Sequence, residues 1–314
     1  MKRFILILCA TFIGLSLSAQ SDINVSVAKY KGGKVCATSF TFDDGNKDNY
    51  TIGAHELDKR GWKGTFWLVC SRIPGEARAS QKAMSWEDVT DLHKRGHEMS
   101  NHGWSHKNLV EISYDEAAIE IEKNDSALFA HLGVRPVTFC YPYNKRNPKI
   151  EALALKGRVG TRTFQYPFDG RYPVSKFHER MDKTIADGGW AVWMTHGVAQ
   201  GKFGFKELTD FTSFLDYVKQ NEDKIWVGTF KDVATYVAER DAVTLKINNK
   251  KGKVNVTPSL PLDSKLFNAP LTMCVEGIVP IKVTQGKTVI EVTRVDKKAY
   301  FDFNPRGGKI VITY

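Results

Sequence analysis

At 314 residues and a formal charge of +10, with 42% hydrophobic and 11% aromatic residues, the chain can build a sizeable core and is long enough for two domains. Its lysines and arginines are scattered, with no run or stripe, which excludes a nucleic-acid footprint and leaves the charge as solvated surface. Beyond the first twenty residues, Cys36, Cys70, Cys140 and Cys274 have neither C-x-x-C spacing nor the density of a disulfide framework, so buried free thiols are expected.

Residues 1–19, MKRFILILCATFIGLSLSA, read as a signal peptide. Lys2 and Arg3 precede an apolar run from Phe4 to Leu17, and Ser18-Ala19 gives a small-residue cleavage site. The run falls short of the ~20 residues that a membrane span needs. The expectation is an exported chain, periplasmic or secreted, with no transmembrane segment, its charge lowered from +10 to +8 by loss of Lys2 and Arg3.

From residue 34, short apolar runs alternate with amphipathic stretches. VCATSFTF reads as a strand, NYTIGAHELDKRG as a helix and GTFWLVC as a second strand. SWEDVTDLHKRG has a Ser-x-x-Asp start and a glycine end, and SYDEAAIEIEKNDSALFAHLG also starts on a capping serine; both predict capped helices. HEMSNHG, PVTFCYPY, RVGTRTF, WAVWMTHG and IWVGTF supply further strands, with helices in NPKIEALALKG, FTSFLDYVKQNEDK and KDVATYVAERD. Such alternation implies parallel strands with helical crossovers, and seven or eight units predict a barrel over an open sheet. The pattern changes near Asp241. AVTLKINN, KVNVTP, LTMCVEG, IKVTQGKTVIEVTRV, KAYFDFNP and KIVITY are all strand-like, which predicts a small β-sandwich over 241–314 after a barrel over 20–240. Tyr300, Phe301 and Phe303 alternate in one strand, a pattern read more readily as core than as a sugar platform.

Three groups of polar residues stand where predicted strands end: Asp43-Asp44, His102 with His106, and His196. In a parallel barrel these exits converge on one face. Two histidines and a carboxylate with open positions make a recurring catalytic metal set. A cation would also explain two adjacent carboxylates, one binding it and the other free to act as a base.

TFDDG (41–45), GHEMSNHGWSH (96–106), FCYPY (139–143) and WMTH (193–196), in that order, resemble the successive motifs of the polysaccharide deacetylases, carbohydrate esterase family four. The resemblance covers roughly residues 34–240. It implies a distorted (β/α)7 barrel and a divalent metal, Zn2+ first, with Co2+, Ni2+ or Mn2+ as alternatives. It also implies removal of acetyl groups from an oligo- or polysaccharide. By resemblance Asp43 is the general base, Asp44, His102 and His106 bind the metal, and His196 is the general acid. Met194 lines the acetyl-methyl pocket, and the Tyr143 backbone N–H holds the oxyanion. Two departures stand out. Where many members carry an arginine in the third motif this chain has Cys140, and the fourth motif, an aspartate-tryptophan pair, has no clear match. Arg162, in VGTRTF, is the candidate to supply the missing cation from another strand.

The function implied is an exported metal-dependent deacetylase, with an N-acetylated glycan ahead of an O-acetylated one. The alternative from another class is a non-catalytic glycan-binding protein whose barrel has lost its reaction.

Overall fold

The computed structural model describes residues 23–200 and 203–314; the signal-peptide reading lies outside the described residues. In chain order the regular elements begin with β1 (Asn24–Val27), β2 (Cys36–Asp43), α1 (His55–Lys59) and β3 (Thr65–Leu68). They continue with α2 (Trp86–Lys94), β4 (Glu98–Asn101), α3 (Tyr114–Leu132), β5 (Thr138–Cys140) and α4 (Pro148–Leu155). Then come β6 (Gly160–Arg162), β7 (Tyr166–Pro167), α5 (Val174–Asp187), β8 (Trp190–Thr195), α6 (Leu208–Gln220), β9 (Ile225–Val227) and α7 (Phe230–Ala242). The rest is strand: β10 (Thr244–Lys250), β11 (Lys253–Ser259), β12 (Leu271–Glu276), β13 (Lys282–Gln285), β14 (Thr288–Ile290), β15 (Thr293–Val295), β16 (Lys298–Phe303) and β17 (Ile310–Thr313).

The strands β2 to β9 form one parallel sheet in the order β6-β5-β4-β3-β2-β8-β7. β9 adds to the start of β2, pairing Cys36–Thr38, whereas β3 pairs Thr41–Asp43. The curved sheet has the predicted α/β barrel character, with no pairing between β6 and β7. All eight residues of β2 are buried, as a central parallel strand requires. Its side chains alternate. Phe40 and Phe42 pack outward with Phe66, Trp193, Phe168, Phe177 and Phe214 under the helices. Thr41 and Asp43 face the interior, where Trp67, Cys140, Val192 and Phe230 pack together. The two predicted capping boxes are present, Ser85 with Asp88 on α2 and Ser113 with Glu116 on α3.

The interior is floored by a residue that the sequence did not single out. Glu98, at the start of β4, accepts from Thr65 Oγ1 at 2.8 Å and from Lys231 N–H at 2.8 Å, and it also binds Thr138. It therefore ties three strands and the first turn of α7 at the end of the barrel away from the site.

The C-terminal domain is a pair of antiparallel sheets, β1-β12-β16-β15 and β10-β11-β17-β13-β14. Val254, Val256, Met273, Val275, Phe301, Phe303, Ile310 and Ile312 fill the space between them, so the AYFDF aromatics are largely core. Its first strand comes from the other end of the chain: Asn24–Val27 pairs with Met273–Glu276. Tyr236 of α7 enters the same core and donates its hydroxyl to Ala28 O at 2.8 Å, fastening the two domains. Cys36, Cys70, Cys140 and Cys274 are free and buried, as expected. No helix among the described residues is long and apolar enough to cross a membrane.

Candidate active site

The strand exits converge as the spacing predicted. β2 ends at Asp43, and the chain turns through two consecutive left-handed residues, Asp44 at φ 70° and Gly45 at φ 74°. The aspartate and the glycine allow the turn, which points successive carboxylates in different directions. His106 (φ 58°) and Tyr143 (φ 59°) are also left-handed. Among the described residues, three of the five non-glycine positions with positive φ therefore belong to this one site, where backbone strain commonly collects.

Asp44, His102 and His106 place one ligand atom each within 4.8 Å of one another. His106 Nε2 is 3.4 Å and His102 Nε2 3.9 Å from Asp44 Oδ1. The His102 Nδ1–H donates to Cys140 O at 2.9 Å, which fixes the tautomer and leaves the Nε2 lone pair facing Asp44. Burial holds both imidazoles below their ordinary pKa, His106 at about 4, so each is a neutral donor at pH 7. Asp44 Oδ1 is buried with no hydrogen-bond partner; Arg72 Nη1 lies 3.0 Å away without hydrogen-bond geometry. An orphaned carboxylate oxygen facing two imidazole nitrogens fits a divalent cation.

Asp43, His102 and Cys140 form a second cluster of ligand atoms. Both oxygens of Asp43 are already engaged, and burial pushes the Cys140 thiol well above its ordinary range, so the first set suits a cation better.

Asp43 is held by Arg162. Nη1 donates to Oδ1 at 2.7 Å and Nη2 to Oδ2 at 2.5 Å, while Nη1 also reaches Thr41 Oγ1 at 2.8 Å. Arg162 is buried, with its guanidinium 5.6 Å from the centre of the Trp67 ring. Burial pushes the Asp43 carboxyl up. The charge and hydrogen bonds of Arg162 outweigh that and hold it below its usual value. Arg162 and Cys140 are register partners on β6 and β5. The small thiol leaves room for the neighbouring strand's guanidinium to enter.

His196 follows the last residue of β8 and is half-buried, with Nδ1 buried and lacking a hydrogen-bond partner. Its carbonyl accepts from Asn46 Nδ2 at 2.5 Å and Asn49 Nδ2 at 3.2 Å. Met194 shares the face of β8 that carries Val192 toward the interior, and it pairs in register with Thr41. Tyr143 is exposed at the second position of a short 3-10 turn, where the turn itself leaves the N–H free, and its ring stands edge-on to His106 at 4.6 Å. Asn46, Asp48, Asn49 and Arg72 are the site-adjacent residues that sequence reasoning missed. Their one signal is position, just past the exits of β2 and β3.

The polysaccharide deacetylase family model matches residues 31–161, which include the carboxylates, both metal-set histidines and Tyr143. The chain carries a polysaccharide deacetylase domain. A chitin deacetylase of Arthroderma benhamiae is 27% identical over 52% of this chain and 43% of its own length. A peptidoglycan-N-acetylglucosamine deacetylase of Listeria monocytogenes is 29% identical over 41% of this chain and 27% of its own. A gellan lyase of a Bacillus species is 23% identical over 92% of this chain but only 13% of its own length. The chain thus spans less than half the length of each of these relatives. Among solved structures, one from Mycobacterium smegmatis assigned to the polysaccharide deacetylases aligns with a TM-score of 0.53 and 18% identity, covering 69% of this chain and 94% of its own. That likeness bears on the fold.

Proposed function

We propose that this polysaccharide deacetylase domain makes the chain an exported, metal-dependent hydrolase that removes acetyl groups from a glycan, N-acetyl ahead of O-acetyl. The bidentate Arg162–Asp43 pair beside the Asp44-His102-His106 set carries the reading: an ionised base stands next to a ready-made cation site. Asp44, His102 and His106 would hold the cation, Zn2+ by the two-imidazole, one-carboxylate donor set. When bound it supplies Lewis acidity, polarising the acetyl carbonyl and making water more acidic.

The protein's own groups account for the rest. Asp43 stays ionised because of Arg162, so it can take a proton from water at neutral pH. The Tyr143 N–H, presented by the left-handed turn at the rim, donates to the oxygen that becomes negative in the tetrahedral state. His196, on the other side of Asp43, gives a proton to the departing amine. Met194 lies on the interior face between these groups and suits the acetyl methyl. The chitin and peptidoglycan deacetylase relatives support an N-acetylated substrate.

The amide-first order has a direct test. An amine departs only when protonated, whereas an alkoxide leaves more readily. His196→Ala should therefore depress acetate release from N-acetylglucosamine oligomers at least tenfold more than release from acetylated xylan. Equal losses on both would remove His196 as the acid and the preference with it.

A further inference from the structure

The segment after the two carboxylates and the segment after β8 are joined by a set of contacts that none of the roles above explains. Asp48 is buried, and its Oδ2 accepts from both Ala199 N–H at 2.8 Å and Gln200 N–H at 2.9 Å. Asn46 and Asn49 both donate to the carbonyl of His196, and Asn49 also reaches Asp43 O at 3.3 Å. Thr195 Oγ1 donates to Gly197 O at 3.1 Å, closing the turn on its own strand. The turn has no room to spare: a Cβ on Gly197 would stand 2.7 Å from Gln200 O and 3.2 Å from Asp48 Oδ1. The anchoring segment is itself fixed, with Lys47 N–H on Lys82 O at 2.8 Å and Met84 N–H on Gly45 O at 2.9 Å.

We propose that Asp48, with Asn46 and Asn49, acts as a set of positioning residues registering His196 against Asp43. The inference rests on the reading of Asp43 as base and His196 as acid. Strands β2 and β8 are hydrogen-bonded only as far as Phe42 and Thr195, so the sheet ladder does not fix the residues that follow. Asp43 Cα is set by β3, and His196 lies one residue past the last pair. Further on, Val198 is buried and its carbonyl accepts from Phe205 N–H at 2.7 Å, but the His196 carbonyl itself is held by the Asn46 and Asn49 side chains. The four hydrogen bonds from 46–49 supply the missing register, and a carboxylate serves well because one oxygen can accept two N–H groups at once.

The test compares wild type, Asp48→Ala, Asp48→Asn and Gly197→Ala in the full metal-loaded chain. It measures kcat and KM for acetate release, thermal midpoint, and hydrogen exchange of the Ala199 and Gln200 amides. Asp48→Ala and Gly197→Ala should each lower kcat by about 10²-fold, the scale of a misplaced catalytic group, with KM within twofold of wild type. Both amides should exchange faster in Asp48→Ala. Asp48→Asn, whose amide oxygen can still accept both N–H groups, should recover at least tenfold of the loss. A lower thermal midpoint with unchanged kcat in the folded Asp48→Ala protein would mean a structural role only and overturn the proposal. So would unchanged amide exchange. Wild type that releases no acetate would defeat the functional reading instead, and the clamp would then be judged by the exchange data alone.

Discussion

Arg162 and Asp43 meet through two parallel hydrogen bonds across the barrel interior, from the end of β6 to the end of β2, at 2.7 and 2.5 Å. The pair is fully desolvated, so each charge depends on the other. Removing Arg162 leaves the burial of Asp43 unopposed and raises its pKa, which makes the base protonated over a wider range. Arg162→Ala should lower kcat/KM by about 10²–10³-fold, a loss in the range found for preorganised electrostatic groups. The acid limb of the pH–rate profile should move to higher pH, because Asp43 then stays protonated where it was ionised. Stability should fall by about 3–5 kcal/mol, the usual cost of stranding a buried charge.

Cys140 tests the same relationship from the other side. It is the register partner of Arg162 and lies within ligand distance of Asp43. In the Arg162→Ala background, Cys140→Arg should return a guanidinium to Asp43 and recover at least tenfold of the lost kcat/KM. If the double variant is no better than Arg162→Ala while remaining folded, the two positions are not interchangeable sources of the cation.

The metal set predicts ligand-linked stability. Adding Zn2+ to chelator-treated protein should raise the thermal midpoint, since a ligand that binds only the folded state stabilises by RT ln(1 + [L]/Kd), about 2.7 kcal/mol at one hundred times Kd. His106→Ala and Asp44→Ala should abolish that rise, whereas Cys140→Ala should keep it. Loss of the rise in Cys140→Ala would instead assign the cation to the Asp43-His102-Cys140 cluster.

His97 predicts an acid sensitivity separate from catalysis. Its Nδ1 accepts from Gly64 N–H at 3.0 Å, and its Nε2 is 3.2 Å from Asp58. Burial, only partly offset by Asp58, lowers its pKa from 6.5 to about 4. Between those values the unfolded chain binds a proton that the folded chain does not. The stability associated with neutral His97 is therefore complete above pH 6.5 and lost as pH falls toward 4. Urea midpoints at pH 7.5 and 4.5 should differ less in His97→Gln than in wild type; an equal difference would place the acid sensitivity elsewhere.

Glu98 sets the barrel floor, so its shape matters more than its charge. Burial raises its pKa, and it accepts from two donors while binding Thr138. Glu98→Ala leaves those buried groups unpaired at roughly 1–3 kcal/mol each and should destabilise strongly, while Glu98→Gln should cost much less. Denaturant titration separates the two, and equal losses would show that the carboxylate charge is what the floor requires.

The residues of the proposed chemistry were legible because each sits in a short contiguous motif at a strand exit, and parallel topology brings such exits together. Arg162 was legible only as a candidate, since nothing local says that a guanidinium on β6 will enter space vacated on β5. Asp48 and the two asparagines read as ordinary turn residues; their partners lie about 150 positions away. Glu98 looks like any polar residue in a strand. The placement of Asn24–Val27 in the C-terminal sheet was hidden for the same reason: its pairing spans some 250 residues and leaves no mark on the local pattern.

Acetate release by chelator-treated protein, before and after adding Zn2+, tests the central claim most directly. N-acetylglucosamine oligomers and acetylated xylan are the substrates, with Asp43→Asn in parallel. The account predicts release that appears with Zn2+, is larger on the N-acetylated oligomers, and is lost in Asp43→Asn. Folded, zinc-loaded protein that binds these glycans and frees no acetate from either would contradict it, and would make the domain a glycan-binding module that has kept its metal site.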